Sequence, residues 1–296
     1  MRATRFLVLF TLGAAIACQR DAAAGSPGPV LFLSDFGERD GAVAACKGVM
    51  LSITPDLRIV DLTHDVPAYD VEAAAEVLEQ SVPFYRPGSV AVAVVDPGVG
   101  GERRAVAIRT GRGHLLVGPD NGIFTLVIDR EGMEQAVELR NTRFFRNGEP
   151  SRTFHGRDLF APIAAHLASG VPLDSLGPAV VPVRLDIRAA RVSDQQVEGI
   201  VRYVEHPYGN VVTNVPPAFL DAIGASLGDT LTVQIGSRRL ALPWRGTFSD
   251  VPRGSALALV HSRDLLSFSI NQGDFAARFG VKRKDPVTVR RASSTR

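Results

Sequence analysis

The sequence predicts an α/β N-terminal domain with a central, mostly parallel sheet, followed by a smaller all-β, barrel-like C-terminal domain. Three observations carry that expectation. Between residues 30 and 95, three short apolar runs alternate with two helical patterns, the βαβ spacing of a parallel sheet. Each run leads into a polar turn that contains an aspartate. From Gly177 to Gln196 the pattern loosens, and beyond it come mainly short strand-like segments between Gly and Pro turns, as in a small barrel or sandwich.

The chain opens on a segment read as a leader. Arg2 and Arg5 precede an apolar run from Phe6 to Ala17, which stops at Cys18. A basic start, a short apolar stretch and small residues before a cut site describe a secretory signal. The run is shorter than the ~20 residues a spanning helix needs. Cys18 after Ala15-Ile16-Ala17 resembles a lipoprotein cleavage box, with Ala15 where Leu is usual. Residues 1–18 are therefore expected to be a signal and lipoprotein segment, with Cys18 lipidated. That implies an exported protein facing the periplasm or cell exterior, held to a membrane only through the lipid. Plain signal cleavage, or a start codon placed too early, is the alternative reading. Residues 19–28, rich in Ala, Gly and Ser, read as a flexible tether. The two domains then span 29–190 and 191–290.

Val30-Leu31-Phe32-Leu33 suits a strand buried on both faces and ends in Ser34-Asp35-Phe36-Gly37. Residues 41–53 read as a helix. A second strand, Arg58 to Leu62, ends at Thr63-His64-Asp65. Residues 70–83 read as a helix with Asp70 as N-cap and Ala73, Ala74, Val77 and Leu78 on one face. A third strand, Val90 to Val95, runs into Asp96-Pro97-Gly98. Ligands of open α/β sheets bind outside the carboxyl ends of the strands, so these polar endings mark one functional edge. Residues 105–108 and 115–117 look like a strand pair, and Pro119 to Gly122 a turn. A helix from Arg157 to Leu167 would set His155 at or near its N-terminus. In the second domain the expected strands are 197–204, 210–214, 229–235, 238–242, 256–260 and 265–270.

Composition excludes several functions. The chain has 296 residues, 45% hydrophobic and 22% charged, with net charge +2. Near neutrality without a basic stripe gives no footprint for nucleic acid. Two cysteines, Cys18 and Cys46, supply neither a disulfide scaffold nor a CxxC zinc site. GxGxxG and GxxxxGK[ST] loops are absent.

Taken singly, the polar blocks have plain structural readings. VVDPGVG at 94–100, with Arg103-Arg104 behind it, fits a tight hairpin with solvated arginines. A single His before a helix is more often structural than catalytic. Eight blocks in order say more: LSDFG at 33–37, DLTHDV at 61–66, VVDPGVG, GPDNG at 118–122, TFHGRD at 153–158, YGNVVTN at 208–214, TFSDV at 247–251 and SRDLLSFSINQG at 262–273. This set resembles the SAM hydroxide adenosyltransferase family, relatives of the chlorinases and fluorinases that use S-adenosyl-L-methionine (SAM). The resemblance covers residues 29–285.

The resemblance implies attack of activated water at ribose C5′ of SAM, giving adenosine and L-methionine, without a metal or other cofactor. It implies a catalytic set of Asp96, Arg103 and His155. Methionine leaves as a neutral thioether, so the reaction lacks only a nucleophile. A carboxylate and an imidazole can orient a water and take its proton, and a guanidinium favours developing hydroxide. The implied substrate contacts are Asp35 to the ribose hydroxyls, and Tyr69, Phe154, Tyr208 and Phe248 as aromatic walls. Asn210, Ser262 and Arg263 would meet the amino-acid end. Glu205 stands where the family usually carries an Asp for the SAM amino group, one methylene longer. Family members are typically homotrimers with the site between subunits. The alternatives are transfer of halide, giving 5′-chloro-5′-deoxyadenosine, and an exported lipoprotein that only binds adenosine or SAM.

Overall fold

The computed structural model describes residues 28–292. Cys18 and the rest of the expected leader lie outside the described residues, as does the tether except for Gly28. The chain divides into two compact units between Leu185 and Asp186.

The first unit contains β1 (Val30–Ser34), α1 (Ala42–Ile53), β2 (Ile59–Thr63), α2 (Val71–Ser81), β3 (Val90–Val94), β4 (Ala105–Thr110), β5 (Leu115–Pro119), α3 (Thr125–Glu131) and β6 (Met133–Glu138). A π-helical turn, Gly156–Phe160, then runs into α4 (Ala161–Ala168). The sheet order is β2-β1-β3-β5-β4-β6. The first four strands in that order are parallel, and β4 is antiparallel to both its neighbours.

Uniformly apolar strands follow from having both faces covered. Val30, Phe32, Val90 and Val92 pack with Cys46, Met50, Ile163 and Leu167 of α1 and α4. Their neighbours Leu31, Leu33, Ala91 and Ala93 point the other way, onto Ala74 and Leu78 of α2 and Val127 of α3. Helix α2 starts where the sequence predicts, because the Asp70 carboxylate accepts from the Ala73 N–H at 3.0 Å.

Strand β1 sits between β2 and β3, so the chain winds outward in one direction and then the other. Open α/β sheets with such a reversal bind ligands at the carboxyl ends of the strands on either side of it, here β1 and β3. Asp35 follows β1 directly, Asp96 lies two residues past β3, and Ser34 is in register with Val94. Because β4 is antiparallel, its first residue Ala105 pairs with Pro119, the last of β5, and Arg103 enters on the same edge. The polar endings of β1 and β3 and the segment leading into β4 thus lie on one edge of the sheet.

The second unit contains β7 (Arg191–Ser193), β8 (Gln196–Glu205), β9 (Asn210–Thr213), α5 (Ala218–Ala222), β10 (Thr230–Ile235), β11 (Arg238–Pro243), β12 (Ala256–Val260), β13 (Leu266–Ile270), α6 (Phe275–Phe279) and β14 (Pro286–Arg291). The antiparallel order is β11-β10-β14-β8-β9-β13-β12, with β7 on β8. The two ends of that order meet: the Arg245 N–H donates to Ala258 O at 2.9 Å, just past β11 and within β12. A nearly closed barrel results, filled by Val197, Leu231, Val233, Phe268, Val287 and Val289. A register shift between Val201 and Tyr203 bends the long strand β8, which pairs with β14 at one end and β9 at the other.

Six of these elements are additional to the sequence expectation: α3, β6, β7, α5, α6 and β14. Strand β14 lies inside the sheet, between β10 and β8. The helix expected from Arg157 begins as a π-helical turn.

Candidate active site

Asp96 opens a tight turn in which Val99 N donates to Asp96 O at 3.2 Å and Gly101 N to Gly98 O at 3.0 Å. Gly100 adopts φ +73°, and a Cβ there would collide with the carbonyl of Arg152. Glycine therefore allows the 146–155 loop to pass against this turn. The turn folds Arg103 back onto Asp96: Nε donates to Oδ1 at 2.8 Å and to Oδ2 at 3.1 Å, and Nη2 also donates to Oδ2. The same Nη2 lies 2.6 Å from His155 Nδ1. The guanidinium sits 5.4 Å from the ring centre of Phe160, and both charged side chains are largely buried. The structure thus gathers all three predicted catalytic residues in one cluster.

The hydrogen bonding fixes a tautomer. Arginine has no acceptor, so Nδ1 of His155 must accept and the proton of the neutral ring sits on Nε2. Burial pushes the His155 pKa below its ordinary value, and the Arg103 charge pushes the same way. His155 stands at the N-cap of the helical turn, as the sequence predicts, and burial and the neighbouring cation favour its neutral form.

Asp158, the last residue of the TFHGRD block, clamps the loop that carries His155. Its Oδ1 accepts from Arg157 Nε at 2.7 Å and Arg146 Nη1 at 3.3 Å. Its Oδ2 accepts from Arg157 Nη2 at 2.8 Å and the Ser151 N–H at 3.0 Å. The hydrogen bonds from Arg157 are the largest reason that this carboxyl lies well below the usual carboxylate range. The Arg157 guanidinium covers the Phe154 ring at 4.9 Å. Phe154 meets Phe36 edge to face at 5.7 Å, which joins the TFHGRD and LSDFG blocks.

Asp35 is half-buried, and its Oδ2 accepts the Tyr69 N–H at 2.9 Å. Tyr69 takes φ +66° and is 72% exposed. Behind Asp35 runs a chain of polar contacts, buried at Ser34 and His64 and exposed at Asp61, that motifs do not show. Ser34 Oγ lies 2.8 Å from His64 Nδ1, and His64 Nε2 lies 3.1 Å from Asp61 Oδ1. Lys47 reaches the other Asp61 oxygen at 2.5 Å.

The second unit holds a cavity of about 880 Å³ lined by Glu205, Tyr208, Asn210, Phe248 and Ser262 of the predicted set. His261, which the sequence reading passed over, joins them. Glu205 is gripped at both oxygens: Asn210 Nδ2 donates to Oε2 at 2.9 Å, and His261 Nε2 lies 2.9 Å from Oε1. Gly209, at φ +67°, leaves no room for a Cβ beside the Asp274 carboxylate. Arg263 is not among the lining residues; its guanidinium stacks over the Tyr203 ring at 4.5 Å.

Comparison with known proteins agrees with this division. The SAM hydroxide adenosyltransferase N-terminal domain matches residues 30–177, and the C-terminal domain of the same family matches residues 199–288. A protein of Salinispora arenicola named (R)-S-adenosyl-L-methionine hydrolase is 42% identical over 88% of this chain and 97% of its own length. One of that name from Thermus thermophilus is 40% identical over 88% and 99%. A fluorinase of an Actinoplanes species is 31% identical over 89% and 97%. Among solved structures, a conserved protein of Thermotoga maritima superposes with a TM-score of 0.84 at 34% identity, covering 88% of this chain and all of the other. Two matched domains in order, and full-length relatives at these identities, place the chain in the SAM hydroxide adenosyltransferase family.

Proposed function

We propose that this protein hydrolyses SAM, in the (R)-sulfonium form that its relatives' names specify, to adenosine and L-methionine. The observation that carries the reading is the Asp96–Arg103–His155 cluster. A binding protein has no need of a buried carboxylate, guanidinium and neutral imidazole in contact. In the reaction, a water oxygen bonds to C5′ as the C5′–S bond breaks, and the bonding pair goes to sulfur. The leaving methionine is neutral and needs no acid. The water proton passes to Asp96, because the single acceptor nitrogen of His155 already serves Arg103. Arg103 supplies positive charge where hydroxide develops, and the Nε2–H of His155 helps orient the water.

Substrate contacts follow the same reading. Asp35 accepts from the ribose hydroxyls, and Tyr69, Phe154, Tyr208 and Phe248 wall the adenosine. Glu205, Asn210 and Ser262 serve the amino-acid end, with Arg263 near its carboxylate. The family resemblance implies a homotrimer with sites at subunit contacts, and the exposure of Tyr69 and Tyr208 (72% and 68%) is compatible with completion of the site by another surface. An active monomer in light scattering would contradict that assembly. Export with a lipid on Cys18 rests on the leader alone, and Cys18→Ser should abolish lipid labelling.

The deciding experiment incubates the protein with SAM in ¹⁸O-water and analyses products by mass spectrometry. One labelled oxygen in adenosine supports attack at C5′, and unlabelled adenosine or no turnover sinks the reading. The fluorinase relatives motivate a second reading, halide transfer. Supplying chloride and finding 5′-chloro-5′-deoxyadenosine would favour it. Adenosine binding in calorimetry without turnover would favour a mere binder.

A further inference from the structure

We infer that His261 is a positioning residue for the amino-acid end of the substrate, holding Glu205 ready to receive an α-ammonium group. The inference rests on the hydrolase reading for the identity of the ligand. Its geometry is local to the second unit. Glu205 ends β8 and faces Asn210, the first residue of β9, across the ladder. The turn between them is closed by Gly209 N donating to Glu205 O at 2.7 Å. His261 follows β12, in a turn closed by His261 N donating to Leu265 O at 2.7 Å.

The His261 ring is itself oriented. Its Nδ1 accepts the Arg263 N–H at 3.3 Å, and it meets the Tyr203 ring edge to face at 6.4 Å. A backbone N–H only donates, so Nδ1 is the acceptor and Nε2 carries the proton given to Glu205. Both donors to Glu205 are then neutral, an imidazole and a carboxamide, and neither cancels its charge. A carboxylate has about four lone-pair sites, so each oxygen keeps one for a ligand. Glutamate on its own would lose side-chain freedom when it binds; here that freedom is already restricted. A cavity that offers a fixed, uncancelled carboxylate beside Tyr208 and Phe248 suits a molecule with one ammonium and a flat or apolar body.

The test compares SAM with its analogue in which hydrogen replaces the α-amino group. Dissociation constants are measured by calorimetry alongside KM and kcat, for the parent, His261→Ala, His261→Gln and Glu205→Gln. His261→Ala should weaken SAM about tenfold, the scale of one hydrogen bond to a charged group, and leave kcat within about twofold. Affinity for the deaminated analogue should not change. His261→Gln, which keeps an N–H donor, should restore most of the SAM affinity. In a Glu205→Gln background the His261→Ala effect should vanish. Unchanged SAM affinity in His261→Ala, or equal loss for both ligands, would overturn the inference. A parent protein that binds SAM without turning it over would overturn the hydrolase reading instead, and the binding comparison would still decide on His261.

Discussion

Asp96 and Glu205 are each held at both carboxylate oxygens, and they are held differently. Asp96, at the edge of the parallel sheet, is gripped by a cation, Arg103, which also keeps His155 neutral. Glu205, at a hairpin of the barrel, is gripped by an amide and an imidazole. In the first case the charge is spent inside the protein, and the cluster is organised before any ligand arrives. In the second the charge remains available to attract one. The contrast separates a group built for chemistry from a group built for recognition, and it makes kcat and KM the two axes on which to test them.

The largest effects belong to the first cluster. Asp96→Asn, Arg103→Ala and His155→Ala should each lower kcat by about 10²–10⁴-fold while SAM binding changes little. Double variants should lose little beyond the worst single one, because the three act as a unit. Asp96→Asn should fall furthest, since it removes the proton acceptor. Parent-like turnover by all three in steady-state assays would reduce the cluster to a structural ion pair.

Asp158→Asn tests whether the clamp behind His155 matters. It weakens charge-assisted hydrogen bonds from two arginines, so stability should drop by about 2 kcal/mol in denaturant melts. The clamp is also pH-dependent. The Asp158 pKa is lowered by folding, so its stabilisation is present above the ordinary value of 3.8 and is lost as pH falls through the lower folded value. An Asp158→Asn variant as stable as the parent at pH 7 would remove this residue from the account. Asp35→Ala sits nearer the recognition side of the contrast. Its ribose contacts exist in ground and transition states alike, so KM should rise about tenfold with any fall in kcat. Unchanged KM would exclude Asp35 from the ribose site.

The sequence carried the first sheet well because strands covered on both faces leave unbroken apolar runs, and each ended at a polar turn. Strand β14 escaped for the opposite reason. Pro286 opens it and Arg290-Arg291 close it, so half its residues face outward and no run forms. The π-helical turn escaped because Leu159, Phe160 and Ile163 keep an apolar face in either helical form. Asp96, Arg103 and His155 were legible through motifs, but their contacts were not, since the Arg103–His155 bond spans 52 positions. The same limit hid His261, which meets Glu205 across 56 positions. Residue types that carry chemistry are visible in sequence; the tautomer and the charge balance they adopt belong to tertiary contacts.

The smallest expected effect is also the one that isolates His155. Its folded pKa lies below the ordinary 6.5, first through burial and then through Arg103. Between the folded and unfolded values, the unfolded chain binds more protons, so stability rises with pH across that window. The stabilisation is complete above 6.5 and is lost as pH falls through the folded value. Activity should follow the same limb, because a protonated Nδ1 can no longer accept from Arg103. The kcat/KM profile should therefore drop on the acid side with its inflection below 6.5. His155→Asn removes the titrating ring, so the residual activity of that variant should lack this inflection, and its melting temperature should vary less between pH 7 and pH 5. An inflection that survives in His155→Asn would assign the acid limb to another group.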